Sequence, residues 1–123
     1  ILIKEYAVGS ERYELGFPKG IVDAGESPEV AANRELQEEI GFGAKKLHFL
    51  RSLYSSPSHM YGLMHVFIAQ DLYPSQLEGD EPEPLEIVRL PLSEIDRLLA
   101  DPNFAESRYL SALFMLREFL CSH

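Results

Sequence analysis

Between Gly20 and Phe42 the chain reads GIVDAGESPEVAANRELQEEIGF, and no other stretch restricts the fold as tightly. Ser27 is a helix-capping residue, Pro28 is tolerated at the first helical position, and Glu29 suits the positive end of a helix dipole. No Gly or Pro interrupts Val30 to Ile40, and Gly41 is a natural C-terminal stop. The stretch therefore predicts one helix entered from a glycine-bearing loop. Ala32, Leu36 and Ile40 recur at i, i+4 and i+8, the stripe expected to pack on a sheet.

On that helix Glu35, Glu38 and Glu39 stand at i, i+3 and i+4, so their carboxylates leave neighbouring points of one face. Like charges at this spacing cost a few tenths of a kcal/mol each, roughly 0.2–0.5. Such a cluster gains nothing for folding unless something positive sits among the acids. Hard divalent cations such as Mg²⁺ take carboxylate oxygens and water, with substrate phosphates completing the shell. A solvated acidic face is the ordinary alternative, but the glycine loop and the placement of Glu26 and Arg34 favour a metal site.

Composition bounds the remainder. The chain has 123 residues, 46% of them hydrophobic, which suits a single domain over residues 1–123. No apolar run approaches the roughly 20 residues that span a bilayer, so no membrane partner is expected. Eleven basic against 20 acidic residues give a formal charge of −9, which argues against a nucleic-acid partner. A small anionic substrate remains compatible if metal ions cancel charge locally. The single cysteine, Cys121, excludes an internal disulfide framework and fits a reducing cytoplasm. The first residues, ILIKEYAV, already read as a strand, so a fragment lacking its N-terminal part is expected.

Along the chain, strands are expected over Ile1–Val8 and Tyr13–Phe17, with a turn over Gly9–Arg12. Leu47, Phe49 and Leu53 fall at even spacing, as in a half-buried strand over Ala44–Ser55. Met60–Asp71 is the most apolar run and reads as a central strand. Tyr73–Leu85 is a proline-rich acidic loop, and Glu86–Leu90 returns as a strand. Ser93 is expected to cap a short helix to Ala100, stopped by Asp101-Pro102. A last amphipathic helix over Ser107–Leu120 should turn Leu110, Leu113, Phe114 and Phe119 inward. Strands interleaved with two long helices predict an α/β layered domain.

The pattern Gly, five residues, Glu, seven residues, Arg-Glu-Leu-Gln-Glu-Glu-Ile-Gly-Phe resembles the Nudix box, filling each of its fixed positions. That superfamily hydrolyses nucleoside diphosphates linked to a further group. The flanking ELGFPKGIVDAGE, AQDLYP, LEGDEPEPL and SALF are similar to bacterial ADP compounds hydrolases, relatives of the ADP-ribose pyrophosphatases. The resemblance implies the Nudix fold, a mixed β-sheet sandwiched between helices (α/β/α). It implies metal-dependent cleavage of ADP-ribose, NADH and diadenosine di- or triphosphate, releasing AMP, with Mg²⁺, Mn²⁺ or another divalent cation as cofactor. It further implies a homodimer formed through the missing N-terminal part, and weak or no activity without that part.

By the same resemblance Glu35 and Glu39 hold metal, Glu38 is a further ligand or bridge with a catalytic role, and the Lys19 carbonyl also ligates. Gly20 lets the main chain approach closely, and Gly20 and Ile21 are expected against substrate. Arg34 and Glu26 would orient the carboxylates, or tie the loop to the helix, or do both in one act. The base that takes a proton from the attacking water is expected from the acidic loop, Glu83 first and Glu81 second. Glu14 is a candidate supporting or substrate residue, or equally a surface acid at a strand end. Pro57, sixteen residues past Gly41, matches a mark of the ADP-ribose branch, although it stands in SSPS where Ser-Pro-Gly is usual. Ala7 stands where many ADP-ribose pyrophosphatases carry a substrate-binding Arg, a departure that suits a broader ADP-compound enzyme. Tyr54, Tyr61 and Tyr73 could stack on adenine or pack in the core. Two rival functions share these residues: a Nudix enzyme for sugar nucleotides or oxidised nucleoside triphosphates, and a Nudix-derived domain that binds ADP-ribose or NAD without cleaving it.

Overall fold

The structure, a computed structural model, describes residues 1–7, 12–54, 63–78 and 86–122, with side chains of residues 1, 15–53, 64–78 and 86–122. It divides into two compact units, Lys19–Gly79 and the combination of Ile1–Pro18 with Asp80–His123.

In the second of these, β1 (Leu2–Ala7) pairs antiparallel with β2 (Arg12–Gly16) and with β5 (Glu86–Val88), giving the order β2-β1-β5. The expected turn over Gly9–Arg12 falls largely outside the described residues. A 3-10 helix (Leu92–Ala100) and α2 (Ser107–Ser122) complete the unit. Pro91, not Ser93, occupies the position before the 3-10 helix, and no side chain caps it. Asp101 closes the helix as expected, its N–H bonded to the Leu98 carbonyl.

The core here is Leu113, Phe104, Leu98 and Tyr109, ringed by Leu15, Phe17, Val88, Leu90, Ile95 and Leu110. Phe17 meets Phe104 edge-on at 5.6 Å and Tyr109 at 6.0 Å, the arrangement aromatic quadrupoles prefer. Leu113 is fully buried as expected, but Phe114 is 62% exposed. The buried line of α2 runs through Tyr109 and Leu113 at i and i+4, and Phe114 stands a further residue round the helix.

The other unit joins α1 (Pro28–Glu39) to a long antiparallel ribbon of β3 (Phe42–Tyr54) and β4 (Leu63–Pro74). Ser27 accepts from the Val30 N–H at 3.2 Å, Pro28 opens the helix, and Gly41 beyond its end has φ +73°. These are the start and stop read from the sequence. The buried stripe is shifted from the expected one: Ala31 and Ile40 are buried, whereas Ala32 and Leu36 are only half-buried. Asn33 Oδ1 accepts from the Ala44 N–H at 2.8 Å and binds the helix to the start of β3.

The even spacing of Leu47, Phe49 and Leu53 does not survive in the ribbon. A bulge between Phe49 and Arg51 adds a residue to β3, so Leu53 falls on the opposite face from Leu47 and Phe49. Phe49 is half-exposed and meets Phe67 across the ribbon at 5.5 Å. Among the described residues β4 pairs with β3 alone, so its apolar run does not make it a central strand. Every strand pairing among the described residues is antiparallel. No helix among them is long and apolar enough to cross a membrane.

Candidate active site

Arg34 organises the acidic face of α1. Its Nε donates to Glu26 Oε2 at 2.8 Å and its Nη2 to Glu26 Oε1 at 3.0 Å, a two-pronged grip on one carboxylate. The same Nη2 donates to the Ile21 carbonyl at 2.8 Å. Nη1 reaches along the helix to Glu35 Oε1 at 2.9 Å and Glu38 Oε2 at 3.1 Å. Asp23 approaches at 3.4 Å. One guanidinium thus bonds both to the loop, through Glu26 and the Ile21 carbonyl, and to two of the helix carboxylates.

The loop is shaped to deliver Glu26 to that grip. The Glu26 N–H bonds to the Asp23 carbonyl at 3.0 Å, and the Asp23 N–H returns to Glu26 Oε1 at 2.9 Å. Gly25, the third residue of this turn, has φ +84°, which glycine adopts without steric cost. Asp23 was not singled out from the sequence, although an Asp-Ala-Gly turn within the box is a legible signal.

Gly20 is required for a different reason. A Cβ there would overlap the side chain of Glu35, so the loop passes directly over this carboxylate. Glu35 also takes a backbone hydrogen bond from Ile21. The Ile21 side chain itself is 78% exposed. The Lys19 N–H donates to Glu39 Oε2 at 2.9 Å. Lys19, Gly20 and Ile21 thus run along the tops of Glu35 and Glu39.

Local charge follows from these contacts. Hydrogen bonds from Arg34 hold the Glu26 carboxyl below its ordinary range. Burial pushes Glu35 up, against the opposing pull of Arg34. The Arg34 guanidinium is held still more firmly protonated by Glu26 and Glu35. Asp23, Glu26, Glu35 and Glu38 all contact this one cation, so the cluster keeps a net negative charge.

Among the described residues no three acidic, histidine or cysteine side chains converge as a ready cage for an ion. The positive centre that Glu35 and Glu38 share is Arg34. The donor chemistry nevertheless fits a hard divalent cation: three carboxylates on one helix face and a main-chain segment lying over two of them. These are Glu35, Glu38, Glu39 and Lys19.

The other expected residues are less informative. Glu81 and Glu83 lie outside the described residues, as do Pro57 and Tyr61. Glu14 is placed by its backbone only, opposite Glu5 in the β1–β2 register. Tyr73 packs on Gly43, where a Cβ would come within 2.5 Å of its ring, which suits the packing alternative for this tyrosine. Gln76 and Gln37, both missed in the sequence, bond to the end of α1 or to the segment after β4.

The NUDIX domain profile matches residues 1–114, and the chain belongs to this family. Its α/β architecture is the Nudix fold, of mixed sheet and helices. Among its relatives, the ADP compounds hydrolase NudE of Escherichia coli (strain K12) is 60% identical over 120 residues, 98% of this chain and 64% of that protein. The ADP-ribose pyrophosphatase of Bacillus subtilis (strain 168) is 33% identical over 124 residues, covering 98% and 67%. A solved structure described as the crystal structure of an ADP compounds hydrolase matches with a TM-score of 0.94 at 59% identity, over 98% of this chain and 65% of that one. The chain spans about two thirds of the length of each of these relatives.

Proposed function

We propose that the chain is the catalytic part of a divalent-metal-dependent pyrophosphohydrolase of ADP-linked compounds, with residues 1–123 acting as one Nudix domain. The substrates are ADP-ribose, NADH and diadenosine di- or triphosphate, and the products are AMP and the other phosphorylated half. The observation that carries this proposal is the Arg34 grip, which holds Glu26, Glu35 and Glu38 around one point beside Lys19–Ile21. The names of the relatives support the substrate class.

A cluster with net negative charge repels a diphosphate, and this is the physical reason for a cation. Bound Mg²⁺, or another divalent ion, would offset that charge, polarise the phosphoryl group and lower the pKa of a water. Glu35, Glu38, Glu39 and the Lys19 carbonyl would hold it. Arg34 keeps Glu35 and Glu38 in fixed rotamers, and Glu26 keeps Arg34 in place. Glu83, with Glu81 as its alternate, accepts the proton that the attacking water loses. The bridging oxygen leaves with the departing phosphate. The proposal includes a cytoplasmic homodimer; the single cysteine suits a reducing compartment.

The test is to incubate the full-length protein with ADP-ribose, NADH, diadenosine triphosphate and nucleoside triphosphates, with and without Mg²⁺. AMP release from the first three, abolished by chelation, is the expected result. Turnover of triphosphates alone would transfer the enzyme to another Nudix substrate class. Binding of ADP-ribose without turnover would make the chain a sensor.

A further inference from the structure

The last turn of α1 carries Glu38 and Glu39, and its end is held by a segment distant in sequence. The carbonyls of a helix's last turn have no partner within the helix. Here the Ile40 N–H takes the Leu36 carbonyl at 2.9 Å, and those left beyond it include the carbonyls of Gln37 and Glu38. Both are met from beyond β4. The Leu77 N–H donates to the Gln37 carbonyl at 3.0 Å. Gln76 Nε2 lies 3.1 Å from the Gln37 carbonyl and 3.3 Å from that of Glu38. It also lies 2.7 Å from the Leu77 carbonyl. The Ser75 N–H donates to the Gly41 carbonyl at 3.0 Å.

Two further observations mark Gln76 within this segment. α1 has no basic residue in its last turn, although a cation there would offset the negative end of the dipole. The Gln76 amide stands in its place, and it adds no charge to compete for the carboxylates. Gly41 leaves room for it: a Cβ at Gly41 would lie 2.5 Å from Gln76 Oε1. Gly41 itself has φ +73°, a conformation that favours glycine.

We propose that Gln76 is a positioning residue of the metal-binding helix, tying the Gln37 and Glu38 carbonyls to the segment that follows β4. Its amide fixes the peptide from which the Glu38 and Glu39 side chains depart. Gln76 therefore acts on the reaction through the carboxylates and touches no substrate. This inference rests on the metal-dependent activity proposed above.

The test uses the full-length protein and Gln76→Met, which keeps the length of the side chain and removes its donors. Gln76→Asn, which keeps the amide on a shorter stem, is the second variant. Ser75→Ala is the control, since it loses only a bond to the Gln37 side chain. Two quantities are read: the Mg²⁺ concentration at half-maximal rise in Tm, measured without substrate, and kcat and KM for ADP-ribose well below any Tm. For Gln76→Met the Mg²⁺ midpoint should rise about tenfold, the scale of losing a residue that orients a metal ligand. Its kcat should fall with little change in KM. Gln76→Asn should fall between Gln76→Met and the parent, and Ser75→Ala should match the parent. A Gln76→Met protein whose metal-free Tm drops while Mg²⁺ midpoint and kcat stay at parent values would overturn the inference, because the amide would then be a helix cap and nothing more. A parent that shows neither a Mg²⁺-dependent rise in Tm nor turnover would overturn the proposed activity, and the inference with it.

Discussion

Arg34 uses its whole fork of donors on Glu26, Glu35, Glu38 and the Ile21 carbonyl, and no other side chain presents that set in one plane. Lysine keeps the charge but reaches one point. Arg34→Lys should therefore lower kcat/KM for ADP-ribose by about 10–100-fold. Steady-state kinetics check this, and a variant within twofold of the parent would count against the positioning role. Glu35 is held at a cost to the fold. Burial raises its folded pKa above the unfolded value, so the ionised side chain destabilises the fold. That penalty is fully present above the raised folded pKa, shrinks as pH falls through it, and is gone below the unfolded value near ~4.3. Glu35→Gln should thus raise the metal-free Tm at pH 7 while abolishing turnover, and the gain should vanish near pH 4. Paired thermal melts across that pH range test the sign.

At the scale of elements, α1 is legible because its evidence is local. Ser27, Pro28 and Gly41 are punctuation that any helix of this length needs, and the i, i+3, i+4 spacing of three acids fixes their shared face. The capping bond makes a prediction of ordinary size. Ser27→Ala should cost about 1 kcal/mol in chemical denaturation, without changing which residues α1 presents. An unchanged midpoint would mean that the loop, through Glu26 and Arg34, holds the helix start by itself. What stayed hidden is tertiary. The bulge in β3 has no local marker, so the spacing of Leu47, Phe49 and Leu53 gives the wrong face for the last of them. Phe114 is as apolar as Leu113, and only the position of the core separates them. Gln76 lies 38 residues beyond Glu38, too far for any periodicity to join the two.

For the molecule as a whole, net charge and the box lead to the same requirement. The chain has a formal charge of −9 and gathers four carboxylates on one guanidinium, a negative field that the proposed cation would offset for an anionic substrate. Family membership was legible from one 23-residue stretch because its spacing is dictated by helix geometry and by ligand chemistry together. The proposed substrate class rests on likeness over nearly the entire chain, since a pocket depends on contacts that spacing does not encode. The most direct measurement is the rate of AMP release from ADP-ribose by full-length Glu39→Gln in saturating Mg²⁺. Loss of turnover by more than about 100-fold, beyond the usual effect of an orienting residue, with a metal-free Tm close to the parent's, is the predicted result. A rate equal to the parent's would contradict the assignment of the α1 glutamates as the metal site.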